Sequence, residues 1–389
     1  IGLCLGSSAF LSMAYGKKDQ DLIRNGIFIS AVMIGSLAVI LTGIIYIWMN
    51  PMIRLLQVPQ ETTAAMREYL FYVFIGFFAI FLYNYVANVL RGIGNSVTPL
   101  FFLGISVILN IFLDLYFVLV LHMGIKGAAV ATVIAQYVSG VGILLYFLVR
   151  YPEYHISRKD MKWNRENLKQ IMSLSGFTCL QQSVMNFGIL VVQGIVNSFG
   201  ATIMAAFAVA VKIDTIAYMP VGDFGNAFSV FVAQNYGAGN LKRCKKIFGL
   251  CMLFGIGFTE ILSIIFIIWD DFFVSIYTTS AAVAVYGIIR MHHVCLLEGV
   301  TATYEVGSAS LRGMGKSIEP SIITILGTVV FRMIWMVTVF KMVPTYDMLM
   351  NVYISSWIFT GGAIFVVYFL HMKKTEANAA KKTLCSTSL

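Results

Sequence analysis

Long uninterrupted apolar runs constrain this chain more than any other feature. Ile27–Trp48, Pro99–Leu121 and Ile318–Phe340 are each long enough to cross roughly 30 Å of hydrocarbon as a helix. Inside a bilayer every backbone amide needs a partner within the protein, so only helices and closed barrels can span it. A barrel strand alternates apolar and polar residues, and these runs do not. Composition agrees: 59% of residues are hydrophobic and 12% charged, where a soluble domain is about half apolar and a quarter charged. The fold class expected is an all-α polytopic membrane protein. Spans are placed near 26–48, 69–90, 99–121, 127–149, 171–197, 203–235, 246–268, 284–311, 318–340 and 346–370, with the end of another at 1–14.

A net charge of +9 raises the question of nucleic acid, but the distribution answers it. Alternate loops carry Lys17, Lys18, Arg24, Arg91, Arg150, Arg158, Lys159, Lys162, Arg165, Lys169, Lys242, Arg243, Lys245, Lys246, Arg312, Lys316, Lys373, Lys374, Lys381 and Lys382. The opposite loops hold only Arg54, Arg67, Lys126 and Lys341. Such asymmetry orients helices with the basic loops in the cytoplasm. The C-terminus is therefore expected there, in a multi-pass cell (cytoplasmic or inner) membrane protein with no nucleic-acid partner. The six cysteines show neither metal-ligand spacing nor a disulfide framework.

The chain also repeats itself. RGIGNSVTP at Arg91–Pro99 returns as RGMGKSIEP at Arg312–Pro320, 221 residues on, and the same shift carries Ala14-Tyr15-Gly16 onto Asn235-Tyr236-Gly237. Halves repeated in one orientation are a transporter architecture, with the pathway between them. The domains expected are an N-terminal lobe over 1–149, a cytoplasmic linker over 150–170 read as a solvated helix, a C-terminal lobe over 171–370, and a mobile cytoplasmic tail over 371–389. Ile1 corresponds to Gly222 under the shift, so the first lobe is expected to lack roughly 50 leading residues by this repeat arithmetic.

A charge within a bilayer costs about 2.5–3.5 kcal/mol on insertion scales, which makes each one a functional candidate. Asp114 is the foremost, with Asn110 four residues before it on the same helical face. A carboxylate and an amide carbonyl one turn apart are hard oxygen ligands for Na+ or a relayed proton. Thr132 on the following helix, among small residues, completes either an ion site or a buried packing network. Under the shift, Asn110 falls on Phe331 and Asp114 on Trp335, so no symmetric twin is expected. In the second half, Glu298 and Glu305 lie seven apart and would share a face of one helix. With Arg290, His292 and His293 they either line a cavity or pair internally. Gln182 and Asn186 on the 171–197 helix either meet substrate or serve as interhelical glue. Lys212, Asp214 and Asp223, the last just beyond Pro220 where a kink is expected, rank lower.

No phosphate-binding loop, zincin helix or nucleophile elbow occurs, so neither ATP hydrolysis nor familiar enzyme chemistry is supported. No cofactor is expected beyond H+ or Na+ as coupling ion. A passive channel would need a continuous polar stripe and no coupling carboxylate.

Several segments together carry a resemblance. GKKDQDLIRNG, LRGIGNSVTP, LNIFLDLYFV, MGIKGAAVATVIAQ, MPVGDFGNAFSVFVAQNYGAGN and SLRGMGKSIEP are similar to segments of the multidrug and toxic compound extrusion (MATE) transporters, along essentially the whole chain. The resemblance implies twelve helices in two six-helix lobes, and export of cationic or amphipathic small molecules in exchange for H+ or Na+; a monomer is expected. It places a first-lobe ion site on Asn110, Asp114 and Thr132. The family's usual Asp in its first helix would fall ahead of Ile1, and its acidic position in helix seven corresponds to Asn186. A flippase of lipid-linked oligosaccharides on the same scaffold is the alternative, and would need basic cavity groups drawn from Lys212, Arg290 and Arg332.

Overall fold

The computed structural model describes residues 1–55 and 60–387, without the side chains of 54–55, 60–62, 191 and 382–387. The side chains of Arg54, Lys382 and Cys385, and the last two residues of the expected tail, thus lie outside the described residues. Helices dominate: α1 Gly2–Gly16, α2 Gln20–Leu55, α3 Gln60–Ile75, α4 Phe77–Gly92, α5 Val97–Leu115, α6 Gly124–Arg150, α7 Arg165–Asn197, α8 Ala201–Gly237, α9 Leu241–Ile268 and α10 Asp270–Ser275. They continue as α11 Ala281–Val294, α12 Thr301–Gly313, α13 Ile318–Ile325, α14 Phe331–Val337, α15 Val339–Met342 and α16 Tyr346–Thr387. Among the described residues ten helical stretches are long and apolar enough to cross a membrane. Each overlaps one span expected from the sequence. Two compact units divide the chain at Ile171 and Met172.

In the first unit, α3 and α4 form a single span interrupted at Gly76. A cluster of small residues on α6 lets its neighbours approach closely. A Cβ at Gly140 would sit 2.9 Å from the Ala79 carbonyl of α4, so that crossing requires glycine. Helix α5 packs chiefly on α6, and its other faces present Leu100, Phe101, Ile108 and Phe112 to the exterior. At its start α5 also meets α4, where the Tyr83 hydroxyl donates to the Pro99 carbonyl at 2.8 Å. It ends in a π-helical turn, Tyr116–Val120.

The linker departs from expectation. Of the expected linker helix, only 165–170 is α-helical beyond Arg150, as the first turns of α7; in residues 151–164 a 3-10 turn at Pro152–Tyr154 is followed by turns and irregular chain. Side chains of the first unit hold it. Asn25 donates its amide to the carbonyls of Asp160 (2.9 Å) and Lys162 (2.8 Å) and accepts from Asn167 (2.8 Å). Arg24 bonds the Glu153 carbonyl at 3.1 Å and pairs with Asp160 at 3.5 Å. These tertiary bonds take up backbone groups a helix would have used. The tail differs as well: α16 continues through Thr387 instead of ending near 370.

In the second unit, α8 packs on α9, α11 and α12 and continues as one helix through Pro220, with Asp223 exposed on it. A clear break lies elsewhere. Between α11 and α12 the chain tightens into a 3-10 stretch, Cys295–Val300, with Leu297 at φ −126 and ψ 24. The Gly299 amide there is capped by the Glu260 carboxylate of α9 at 2.9 Å. Glu298 and Glu305 consequently do not share one regular helix. Aromatic stacking anchors α9 to α16, with the Phe248 and Tyr368 rings 3.8 Å apart.

Candidate functional site

The α5–α6 seam brings three of the expected residues together. Asn110 and Asp114 are one turn apart on α5, and the Asn110 amide donates to the Thr132 hydroxyl of α6 at 3.4 Å. Thr132 in turn donates to the Ala128 carbonyl at 2.9 Å. Asp114 is only partly covered as a residue, yet its Oδ1 is buried and accepts no hydrogen bond among the described residues. One turn further along each helix lie Ser106, which donates to the Ala135 carbonyl at 3.0 Å, and Gln136, whose Oε1 is likewise buried and without a donor. The seam is therefore rich in hard oxygen acceptors and poor in donors. That imbalance suits a small cation or a proton.

The second unit treats its charges differently. Asp214 of α8 and Arg290 of α11 are both buried and form an ion pair in which Asp214 Oδ2 accepts from Nη2 at 2.6 Å and from Nε at 3.0 Å. Cys295 donates to Asp214 Oδ1 at 3.2 Å. The Arg290 guanidinium lies over the rings of Phe207 (4.2 Å) and Tyr353 (4.9 Å), and Arg332 covers the same Tyr353 at 4.5 Å while bonding Ser356 at 3.1 Å. Glu305 accepts from Tyr218 at 2.6 Å. Glu298 is 3% exposed, and its Oε2 has no donor among the described residues.

The four residues assigned to a substrate cavity are not assembled into one site by any hydrogen bond among the described residues. Gln182 and Asn186 are exposed on α7, whereas Glu298 and Glu305 are turned into the packing of α8, α9 and α11. On α7 it is the neighbouring Gln181 that is buried, accepting from Ser321 at 3.1 Å. The histidines pair locally: His292 meets Asp270 at 2.7 Å, and His293 meets the Ile289 carbonyl at 2.8 Å and Asp347 at 3.5 Å. Lys212 lies over the Tyr277 ring at 5.5 Å. Sequence reasoning missed the Asp214–Arg290 pair and Gln136. A signal for the first existed: one acid and one base within spans, each needing a partner.

Comparison with known proteins respects the same division into halves. A profile described as MatE matches residues 1–116 and 178–338, segments whose last residues, though not their first, are close to equivalent under the 221-residue repeat. The probable multidrug resistance protein YpnP of Bacillus subtilis is 31% identical over 246 residues, covering 62% of this chain and 54% of that protein. The chain thus spans about half the length of this curated relative. The probable multidrug resistance protein NorM of Thermotoga maritima is 24% identical over 342 residues, 84% of this chain and 71% of that one. In fold, the Vibrio cholerae MATE transporter VcmN in its bent form superposes with a TM-score of 0.88 at 18% identity, covering 97% of this chain and 85% of that one. With the family profile matched over most of its length, on helices that repeat in two halves, this chain belongs to the MATE family of multi-pass membrane transporters.

Proposed function

We propose that the protein exports cationic or amphipathic small molecules across the cell membrane in exchange for H+ or Na+, with Asn110, Asp114 and Thr132 holding the coupling ion. Asp114 carries this reading. Its Oδ1 is buried and has no donor among the described residues, on a helix rich in exposed apolar side chains. An unpaired carboxylate in such surroundings is costly, and a bound proton or Na+ removes that cost. Release of the ion restores it, so the occupied and empty states differ in free energy, which is what coupling requires. The names of the Bacillus and Thermotoga relatives support multidrug substrates. Gln182 and Asn186, exposed on α7, are the groups assigned to substrate. The basic loops orient the C-terminus to the cytoplasm. The flippase alternative loses ground because Arg290, one of its three candidate cations, is already bound to Asp214.

The test is efflux of ethidium, a fluorescent organic cation, from proteoliposomes holding the complete protein under an imposed proton or sodium gradient. Gradient-driven efflux that disappears in Asp114→Asn is the expected result. Undiminished efflux from that variant would refute the site, and efflux under neither gradient would refute the antiport.

A further inference from the structure

The interruption between α3 and α4 has an unusual occupant. Gly76 sits there at φ −68 and ψ −15, a helical conformation open to any residue, so backbone freedom does not explain the glycine. Space does. A Cβ at Gly76 would strike Oε1 of Gln136 and come within 3.1 Å of the Val73 carbonyl oxygen. The bare Cα thus lets the Gln136 oxygen approach the backbone of the break, near the Val73 carbonyl oxygen. Around it the helical ladder is irregular. The Gly76 amide donates back to Val73 at 3.0 Å, the regular pattern resumes with Ile80 donating to Gly76 at 2.9 Å, and the Ile75 carbonyl is taken by the Tyr137 hydroxyl at 3.0 Å. Gln136 Oε1 is buried and accepts no hydrogen bond among the described residues. A buried carboxamide oxygen with no donor calls for a reason.

We propose that Gln136 Oε1 and the carbonyl oxygens at the Gly76 break form a second station for the coupling cation, one helical turn from Thr132. The proposal rests on the reading that Asn110, Asp114 and Thr132 bind that cation. The ligand chemistry fits: carboxamide and carbonyl oxygens are hard neutral donors for Na+ or hydronium. Interrupted membrane helices present backbone carbonyls to coupling ions in other transporters. Placement fits as well. Thr132 and Gln136 are four residues apart on α6, about 6 Å along its axis and on one face. Ser106 lies one turn before Asn110 on α5 and bonds the Ala135 carbonyl beside Gln136. Asp114, Asn110 and Ser106 on one helix, with Thr132 and Gln136 on the other, make a polar seam. It runs from the carboxylate toward the end of α5 that begins at Val97, next to the basic loop holding Arg91. The station has no carboxylate of its own, so it holds the ion more weakly than Asp114 and passes it toward the cytoplasm.

The same ethidium efflux, read as the half-saturating cation concentration in separate sodium and proton arms, tests this in the complete protein. The variants are Gly76→Ala, Gln136→Leu and Gln136→Glu, and the arm that responds identifies the ion. Gly76→Ala keeps a helical conformation and places a methyl against the oxygen; Gln136→Leu removes the oxygen. Both are expected to raise the half-saturating concentration about tenfold, the scale seen when a metal site loses a supporting group. Gln136→Glu, which adds charge, lowers it by a similar factor. Ethidium counterflow at equal cation on both sides is expected to persist in all three. If Gly76→Ala and Gln136→Leu lose counterflow through misfolding, Gln136→Glu decides alone. Wild-type half-saturation in the variants that retain counterflow overturns the station, and so does a loss of thermal stability with cation dependence unchanged, which would make Gln136 a pin for the break. The Asp114→Asn variant reports separately: coupling that survives it sinks the first site, while the Gln136 variants still decide the second.

Discussion

At equivalent positions of the repeat the first half carries Asn110 and Asp114, and the second carries Phe331 and Trp335. The first pair leaves a buried carboxylate oxygen with no donor among the described residues. In the second, Phe331 stacks on Phe359 at 5.5 Å and Trp335 donates to the Met348 carbonyl at 3.3 Å. Backbone geometry has diverged too. The π-helical turn comes after Asp114 in the first half, at Tyr116–Val120, but precedes Phe331 in the second, at Leu326–Val330. Each residue inserted by such a turn rotates the remainder of the helix by about 100°, so equivalent positions no longer present equivalent faces. The charges of the second half sit elsewhere, paired as Asp214 and Arg290. One duplicated scaffold has kept a donor-poor polar seam at this position in one half, and in the other a paired Asp214–Arg290 core beside a buried Glu298 whose Oε2 has no donor among the described residues. Under the proposed function the first is where ions exchange and the second is where packing is held.

The sharpest way to break this contrast is to remove one partner of the satisfied pair. Arg290→Met leaves Asp214 buried without its cation, and is expected to cost about 3–5 kcal/mol of stability, measured by unfolding in detergent micelles. The double substitution Asp214→Leu with Arg290→Met should recover most of that loss, because a buried pair replaced by apolar groups is often neutral. A mild effect of the single change would show that the network is not structural. Asp114→Asn is expected to do the reverse. It removes a charge whose Oδ1 accepts no hydrogen bond among the described residues, so stability should hold or rise. Coupled efflux should fall about a hundredfold, equivalent to some 2.7 kcal/mol. Loss of stability as large as in Arg290→Met would make Asp114 a packing residue and erase the distinction between the halves.

Smaller changes come from the neutral partners. Asn110 and Thr132 share one long hydrogen bond of 3.4 Å, and such a bond contributes about 0.5–1.5 kcal/mol. Asn110→Ala and Thr132→Ala should each raise the half-saturating cation concentration by roughly three- to tenfold. Unchanged ion dependence in both would leave Asp114 acting without them.

Much of this was legible in the sequence, for physical reasons that also set its limits. A span is a local property, since apolar length alone decides it, and all ten expected spans overlap observed ones. Asn110 and Asp114 were legible because helical spacing puts them on one face, and Thr132 because the next helix must pack beside theirs. The Asp214–Arg290 pair joins residues 76 positions apart, a distance at which no periodicity operates. The linker misled for the same reason: its polar residues read as a solvated helix, but its shape is set by Asn25, 135 residues before Asp160. Gln136 looked like one more polar residue among the small residues of α6, and only the Gly76 break of another span gives it meaning.

The linker supplies the gentlest test, at the edge of the satisfied class. Burial would push the Asp160 carboxyl up, but hydrogen bonds from the Ser157 hydroxyl and amide, helped by Arg24 and Lys159, hold it below its usual value. A carboxylate lowered in the folded state stabilises the fold above its unfolded pKa, and that contribution is lost as pH falls through the lowered value. Anchorage of the linker should therefore be insensitive to pH from neutrality down to the carboxylate range and weaken only below it. Asp160→Asn keeps an acceptor for Ser157 and loses only the charge, at an expected cost under about 1 kcal/mol. Limited proteolysis after Arg158 and Lys159 reads this directly: cleavage should rise modestly in the variant at neutral pH. Cleavage of the native protein that rises between neutrality and mild acid would show that some other group titrates, and that the linker is held less by Asp160 than by the neutral bonds of Asn25.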